Sequence, residues 1–292
     1  ETAVRTGMIS PFIDPLLQVN HVGKLSVFLA WVAALVVCFF LTHLNARFAI
    51  VRERTYLQSF VYLLLAFAFP QVHFVQPVYF AAIFVMLAIR SLWSAFDEKS
   101  AAISIFEAAM FIALASFFYP YALVLVVLAP ISLFVLQNKM GWREFFATLW
   151  GIFIPWAIIV VTYYFLGASD LLFEAVSGLF QPNKPMLYDH VPNLVYYAFF
   201  LSMVLIPSFF LIQQYNALKI STRRYYKVLF FFFILSFSMI FIPGVSSEIM
   251  VITAIPVSFL FTNFLLFSKK KFWTELFFIF LVVASLVMQF FN

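Results

Sequence analysis

The sequence predicts an all-helical integral membrane protein, a single helical domain over residues 1–292 that crosses the bilayer about ten times. Hydrophobic residues make up 65% of its 292 residues, charged residues make up 10%, and the mean hydropathy is +1.06. A soluble domain is about half apolar and about a quarter charged. A helix of about 20 apolar residues crosses the hydrocarbon layer with its backbone groups bonded internally, and the alternation typical of a barrel is absent from the sequence.

Ten apolar segments are predicted to be the membrane helices. They are 24–46, 56–70, 77–93, 101–119, 121–137, 145–166, 194–216, 228–242, 249–267 and 272–290. Segments 56–70 and 228–242 are short for a full crossing, so interfacial residues or a thinner bilayer are expected to complete them. Kinks are expected at Pro130, Pro155, Pro207 and Pro256. The seven glycines form no GxxxG pair, which argues against close approach of helix backbones.

Orientation follows from the basic residues, because loops rich in Lys and Arg stay on the cytoplasmic side. Alternate connections, at 47–55, 90–100, 138–144, 217–227 and 268–271, hold 14 of the 17 Lys and Arg residues. These connections are therefore predicted to face the cytoplasm of a bacterial inner membrane. Residues 1–23 and the C-terminus are predicted to lie outside, with Trp93, Trp142 and Trp273 marking the inner interface.

Two outer segments carry further expectations. An outward N-terminus that begins with Glu1 and has no apolar signal of its own predicts one more spanning helix or signal anchor ahead of it. The longest polar insertion is 166–193, where apolar residues at helical spacing over Asp170–Phe180 predict a short helix in the interface plane. A loop of this length is either a functional lid or an ordinary connector.

Known chemical motifs are absent from the sequence. There is no Walker loop, dinucleotide fingerprint, HExxH, GxSxG or His/Cys cluster, so no metal site is predicted and no cofactor can be named. The single cysteine, Cys38, excludes an internal disulfide. The basic inner segments are predicted to contact anionic lipid head groups and give no support to nucleic-acid binding. The residues concerned are Arg223, Arg224, Lys227, Lys269, Lys270 and Lys271.

Acidic residues are the remaining candidates for chemistry. Those predicted to lie outside are Asp14, Asp170, Glu174, Asp189 and Glu248. They could bind a divalent ion or accept a proton from a sugar hydroxyl, or they could be solvated loop charges. Among them Asp14 has the most favourable setting, because "ISPFIDPLLQVN" places it between prolines in an apolar outer segment.

Glu107 is predicted to lie inside the membrane, six residues past the start of the fourth segment. An intramembrane acid is expensive and suggests a proton site in a transporter. The alternative is that it reaches the basic inner interface or pairs locally.

Several stretches resemble a family of polytopic bacterial inner-membrane proteins of unknown function, over residues 10–160. They are "SPFIDPLLQVN", "RERTYLQSFVYLLLAFAFPQ", "FEAAMFIALASFFYPYALVLVVLAPISLFVL" and "MGWREFFATLWGIFIPW". The hairpin "ASFFYPYALVLVVLAP" is also similar to membrane glycosyltransferases that use polyprenyl-linked sugars. That resemblance implies an essential acid in the first outer loop, which would match Asp14. The chain departs from those enzymes because it lacks a paired acidic motif and a large outer domain.

Three functions stay open at this point. The first is an envelope enzyme acting on a lipid-linked sugar, with Asp14 as base and 166–193 as a lid. The second is a non-catalytic subunit that packs through its Phe-rich faces against membrane proteins of an envelope or secretion complex. The third is a proton-coupled transporter that uses Glu107.

Overall fold

The computed structural model describes residues 24–96, 101–137, 141–178, 191–242, 244–268 and 271–291. Every regular element in these ranges is helical, as the composition predicts. The α-helices are α1 (Lys24–Phe48), α2 (Leu57–Ala66), α3 (Pro77–Ser94), α4 (Ala102–Phe118), α5 (Leu128–Gln137), α6 (Trp142–Phe165), α7 (Ser169–Gly178), α8 (Val191–Gln213), α9 (Ile220–Ser238), α10 (Met250–Phe267) and α11 (Lys271–Phe291). Segments of 3-10 helix occupy Pro70–His73, Pro120–Val127, Tyr215–Ala217, Met239–Phe241 and Ser247–Ile249.

All ten predicted apolar segments contain helices, and the multipass membrane character is confirmed. Within the described residues, eight helices are long and apolar enough to cross a bilayer. The prediction of ten crossings is supported only in part, because α2 has 10 residues and α4 has 17. α2 is short because the chain leaves the helix at Phe67, where the backbone turns toward Pro70. Pro155, Pro207 and Pro256 lie inside α6, α8 and α10.

The chain divides into two compact units. The first comprises residues 1–33 and 74–183, and the second comprises residues 34–73 and 184–292. α1 is shared between them, because the division falls after Ala33. The predicted short outer helix corresponds to α7, in the first unit.

The first unit is built around α4, which packs against both α3 and α6. Its buried face is rich in small residues, including Ala108, Ala109 and Ala113, so neighbouring helices can approach closely. A Cβ placed on Gly151 of α6 would lie 2.7 Å from Phe106 O and 2.7 Å from the Ala109 Cβ. The expectation of no close backbone approach was therefore wrong here, because one glycine opposite an alanine is sufficient.

Trp93 also differs from its predicted role as a marker of the membrane interface. Its side chain is 0% exposed and packs inside the first unit. Trp142 and Trp273, in contrast, are 79% and 49% exposed. The sequence pattern cannot separate the two kinds of tryptophan, because both occur near the ends of apolar segments.

The second unit is built around α10, where every residue from Met250 to Phe264 is buried. α2, α8 and α9 pack against α10, and α11 contacts α2, α8 and α10. Hydroxyl groups on this buried helix bond back to its own carbonyls: Thr253 Oγ1 donates to Ile249 O at 3.1 Å, and Thr262 Oγ1 donates to Ser258 O at 2.7 Å. A wholly buried helix therefore carries polar residues without leaving these hydroxyls unsatisfied.

Candidate functional site

A cluster of short segments in the second unit forms the candidate site. The turn between α9 and α10 contains the 3-10 helix Ser247–Ile249, which contacts the 3-10 helix Pro70–His73. Gly244 permits the chain reversal because its φ is +86°, a conformation that residues with a Cβ adopt rarely. The chain therefore turns at Gly244, and Glu248 lies at the point where it enters α10.

Glu248 has an incompletely satisfied carboxyl group. The side chain is half-buried, and its Oε2 atom is buried without a hydrogen bond to any residue that the structure describes. Ser246 lies close enough to influence the carboxyl, but its buried Oγ also completes no hydrogen bond with the described residues. A buried polar atom without a partner costs about 1–3 kcal/mol. The site therefore has unused capacity for a hydroxyl donor from outside the chain.

His73 supplies a defined ring on the neighbouring segment. Its Nε2 lies 3.1 Å from Phe67 O, and Gln289 Nε2 donates to the same carbonyl at 3.1 Å. Because a carbonyl oxygen only accepts, His73 Nε2 must carry its proton, and Nδ1 is then an acceptor in the neutral ring. The Phe67 ring also contacts His73, with centroids 5.6 Å apart. These contacts tie His73 and α11 to the carbonyl of Phe67, just past the end of α2.

Aromatic side chains pack around Phe69, the residue that precedes the 3-10 helix Pro70–His73. Phe69 meets Tyr196 edge-on at 5.1 Å and stacks on Tyr197 at 5.9 Å between ring centroids. Tyr196, in contact with Ser285, lines a narrow apolar crevice. The crevice lies between α2, α8, α10 and α11. Phe69, which precedes Pro70–His73, is thus packed against two tyrosines of α8.

The other predicted acids are placed as follows. Asp14 and Asp189 lie outside the described residues. Asp170 is exposed in the first turn of α7, and Glu174 belongs to the same helix. Asp170, Glu174 and Glu107 belong to the first unit, and Glu248 belongs to the second.

Glu107 has a local hydrogen-bond partner in the structure. Its side chain is exposed, and its Oε2 accepts a hydrogen bond from Ser91 Oγ at 3.1 Å. Ser91 lies in the last turn of α3, and Glu107 is five residues past the first residue of α4. The carboxyl is therefore near one end of both helices and has a hydroxyl partner there.

The predicted head-group residues differ from one another. Arg223 Nε donates to Leu218 O at 2.9 Å, and its Nη2 donates to Asn216 O at 3.0 Å. Two of its donor groups are thus engaged with the backbone, and its contact with a lipid head group stays a prediction. Arg224 is half-buried and Lys227 is exposed. Lys271 is exposed, whereas Lys269 and Lys270 lie outside the described residues.

Sequence reasoning missed the roles of His73, Ser246 and Gln289. Pro70 and Pro77 bracket His73 in the stretch "FAFPQVHFVQP", but nothing local to it indicates contact with a segment more than 170 residues later. Among the described residues, no group of three His, Cys, Asp or Glu side chains could hold a metal ion.

The helices and this site define the class of protein: a multipass helical membrane protein with a half-buried acid in a turn between two long helices. The chain belongs to DUF6427, a family of unknown function, which matches residues 7–292. No curated protein and no solved structure matches the chain. The comparisons thus show a family of unknown function and no similarity to glycosyltransferases.

Proposed function

We propose that this is a multipass inner-membrane protein of cell-envelope biogenesis that acts on a lipid-linked sugar at the outer membrane–water interface. The observation that supports this most is Glu248, whose buried Oε2 has no hydrogen bond to the described residues. Ionisable groups among membrane helices are costly and are commonly retained for function. The charge pattern predicts that this turn faces outward, where a lipid-linked sugar would be presented.

The proposed chemistry is glycosyl transfer with Glu248 as the proton acceptor. An acceptor hydroxyl oxygen attacks the sugar C1 atom, the bond from C1 to the phosphate oxygen breaks, and polyprenyl phosphate leaves with the electron pair. The hydroxyl proton passes to the Glu248 carboxylate. Asp14 is the alternative proton acceptor, from the sequence resemblance.

Substitution of each acid tests this proposal. In a strain that lacks the chromosomal copy, the chain carrying Glu248→Gln is expected to lower the affected glycan by about 100-fold or more, the usual contribution of a general base. Glu107→Gln is the matched control and should leave the glycan unchanged, because Glu107 pairs locally with Ser91. The readouts are mass spectrometry of lipid-linked and surface glycans, with membrane abundance measured for each variant.

Asp14→Asn decides which acid is the base. Loss of product in Asp14→Asn with normal product in Glu248→Gln would move the role to Asp14. A wild-type glycan profile in both variants, at normal abundance, would rule out glycosyl transfer by either acid.

A second candidate function is a non-catalytic subunit of an envelope or secretion complex. What favours it is a stripe on α6, whose members recur at helical spacing and are 52–79% exposed. The stripe consists of Trp142, Phe146, Trp150 and Phe153. Stoichiometric partner proteins that are lost on Trp150→Ala and Phe153→Ala, but retained on Glu248→Gln, would support this function.

Proton-coupled transport is the third candidate. It requires Glu107 to exchange a proton during solute movement. Loss of proton-linked flux in Glu107→Gln, with Glu248→Gln unchanged, would favour transport over both other functions.

A further inference from the structure

Two loops of the second unit, distant in sequence, are joined through Arg52. Its Nη2 donates to Ala217 O at 2.5 Å, which connects the segment after α1 to the segment before α9. The Arg52 guanidinium carbon also lies 5.7 Å from the centroid of the Phe267 ring at the end of α10. Arg223 binds the carbonyls of Asn216 and Leu218 on either side of Ala217. Three successive carbonyls are thus held by two arginines.

A second contact joins the same two regions. The Phe48 ring meets the Tyr225 ring edge-on, with centroids 5.6 Å apart. Arg47 precedes Phe48 and places its guanidinium carbon 5.4 Å from the Phe48 ring centroid. Arg224 immediately precedes Tyr225. The ring contact therefore brings Arg47 and Arg224 to the same end of the unit as Arg52.

These contacts bring many cations together on one surface. We call this surface the two-loop basic patch and define it as the Lys and Arg residues of 47–54 and 217–227. Seven Lys and Arg residues and a single acid, Glu53, lie in these two segments. Arg47, Arg54 and Lys219 are exposed. Cations from separate loops at this density attract a polyanion more strongly than either loop alone.

The setting of the patch favours a lipid. It lies where the apolar helices α1 and α9 end or begin, and therefore at the boundary of the hydrocarbon layer. Tyr56, just after the first segment, and Ile220, within the second, are 82% and 66% exposed. A ligand with phosphate next to apolar chains would satisfy both the cations and these exposed side chains.

We propose that the two-loop basic patch binds the head group of an anionic phospholipid, with a preference for one that carries two phosphates. Arg47 and Arg54 contact one phosphate, and Lys219 contacts the other. Arg52 joins the two loops through the Ala217 carbonyl, and Arg223 fixes the second loop through the carbonyls of Asn216 and Leu218. This site lies apart from Glu248 in the chain and does not depend on the proposed glycosyl transfer.

The test is a lipid titration of the purified full chain in neutral detergent, followed by native mass spectrometry. The probes are tetraoleoyl diphosphatidylglycerol, dioleoyl phosphatidylglycerol and dioleoyl phosphatidylcholine. Arg54→Gln combined with Lys219→Gln is expected to weaken diphosphatidylglycerol binding by about 30-fold, which is about fivefold for each cation removed. Arg90→Gln combined with Arg143→Gln is the matched control, because both side chains are exposed cations of the first unit.

The proposal is supported if the patch variant loses affinity, the control keeps it, and the wild-type chain binds the two-phosphate lipid best. It is overturned if the patch variant and the control variant bind diphosphatidylglycerol with equal affinity. It is also overturned if phosphatidylcholine binds the wild-type chain as tightly as diphosphatidylglycerol does, or if pyrophosphate displaces diphosphatidylglycerol at equal concentration. The last outcome would identify a soluble phosphate ligand. If the patch variant unfolds early, Arg47→Gln combined with Lys219→Gln provides the same measurement.

Discussion

Asn45 illustrates how one polar side chain sets the path of the chain at the end of α1. Its Oδ1 accepts a hydrogen bond from Val51 N at 2.8 Å, and its Nδ2 donates to Glu53 O at 3.2 Å. The side chain is 3% exposed, so both bonds are made in the interior. They close the segment that carries Arg52 and so support the basic patch.

Replacement of Asn45 by alanine is expected to destabilise the second unit. The buried Val51 N–H would lose its acceptor, at a cost of about 1–3 kcal/mol. Thermal unfolding of the purified protein in detergent should show a lower midpoint. Asn216→Ala is the control, because its side chain is exposed. Equal midpoints for the wild type and Asn45→Ala would contradict this role.

Backbone conformation gives two predictions of opposite sign. Ala49 has φ +47° and Gly244 has φ +86°, both in the left-handed region that favours glycine. Ala49→Gly is expected to stabilise the protein slightly, and Gly244→Ala is expected to destabilise it by about 1 kcal/mol. Unfolding midpoints of the two variants test the sign, and a shift in the same direction for both would contradict this account.

Glu248 is expected to show a conflict between stability and function. Since its buried Oε2 has no partner among the described residues, Glu248→Gln removes a partly buried charge that is incompletely satisfied. The variant should unfold at the same temperature as the wild type or higher, even where the glycan product is lost. A lower unfolding midpoint would instead indicate a structural role for the carboxylate.

At the scale of elements, the contact between α4 and α6 depends on the absence of a side chain at one position. An added Cβ at Gly151 would lie 2.7 Å from Phe106 O and 3.2 Å from Met110 N, so the helices would have to separate. The contact brings α6 against backbone atoms of α4, Phe106 O and Met110 N, at the position of Gly151. Close packing of this kind replaces the hydrophobic driving force that membrane helices lack.

Gly151→Ala is therefore expected to destabilise the first unit by about 1–3 kcal/mol, the usual cost of overpacking. Val161→Ile is the matched control, because it adds one methyl group on the exposed side of the same helix, where Val161 is 51% exposed. Resistance to unfolding in detergent should fall for Gly151→Ala and remain unchanged for the control. Equal resistance to unfolding in the two variants would show that α6 can shift away from α4 without a loss of stability.

At the scale of the whole molecule, the proposals on the outer site depend on the orientation that the basic loops predict. Cys38 is the only cysteine and is buried, so Cys38→Ala provides a background for single-cysteine labelling. In intact cells, a membrane-impermeant maleimide is expected to label Ser169→Cys. Asn216→Cys should react only after permeabilisation, and the reverse pattern would place Glu248 on the cytoplasmic side.

The positions of the helices follow closely from local composition. The segment predicted at 77–93 is the helix Pro77–Ser94, and the one predicted at 249–267 is the helix Met250–Phe267. The short segment 56–70 was correctly located, but its helix stops at Ala66. The chain then turns into the 3-10 helix Pro70–His73, whose contact with the later turn Ser247–Ile249 local composition does not encode.

The candidate site was only partly predictable. Glu248 was among the acids predicted to lie outside, because it falls in a connection between two apolar segments, 228–242 and 249–267. The unsatisfied oxygen, the neighbouring His73 segment and the backbone bonds of Arg52 were not, because each depends on residues far apart in the chain.

The sequence by itself determined that this chain is a helical membrane protein and where its apolar helices run. Length and hydrophobicity are properties of single segments, and a bilayer selects on those properties alone. Only the tertiary structure decided which polar atoms are satisfied, which cations hold the backbone and which glycine lies against a neighbouring helix. These outcomes depend on pairs of atoms brought within a few ångströms by packing, and no single segment contains that information.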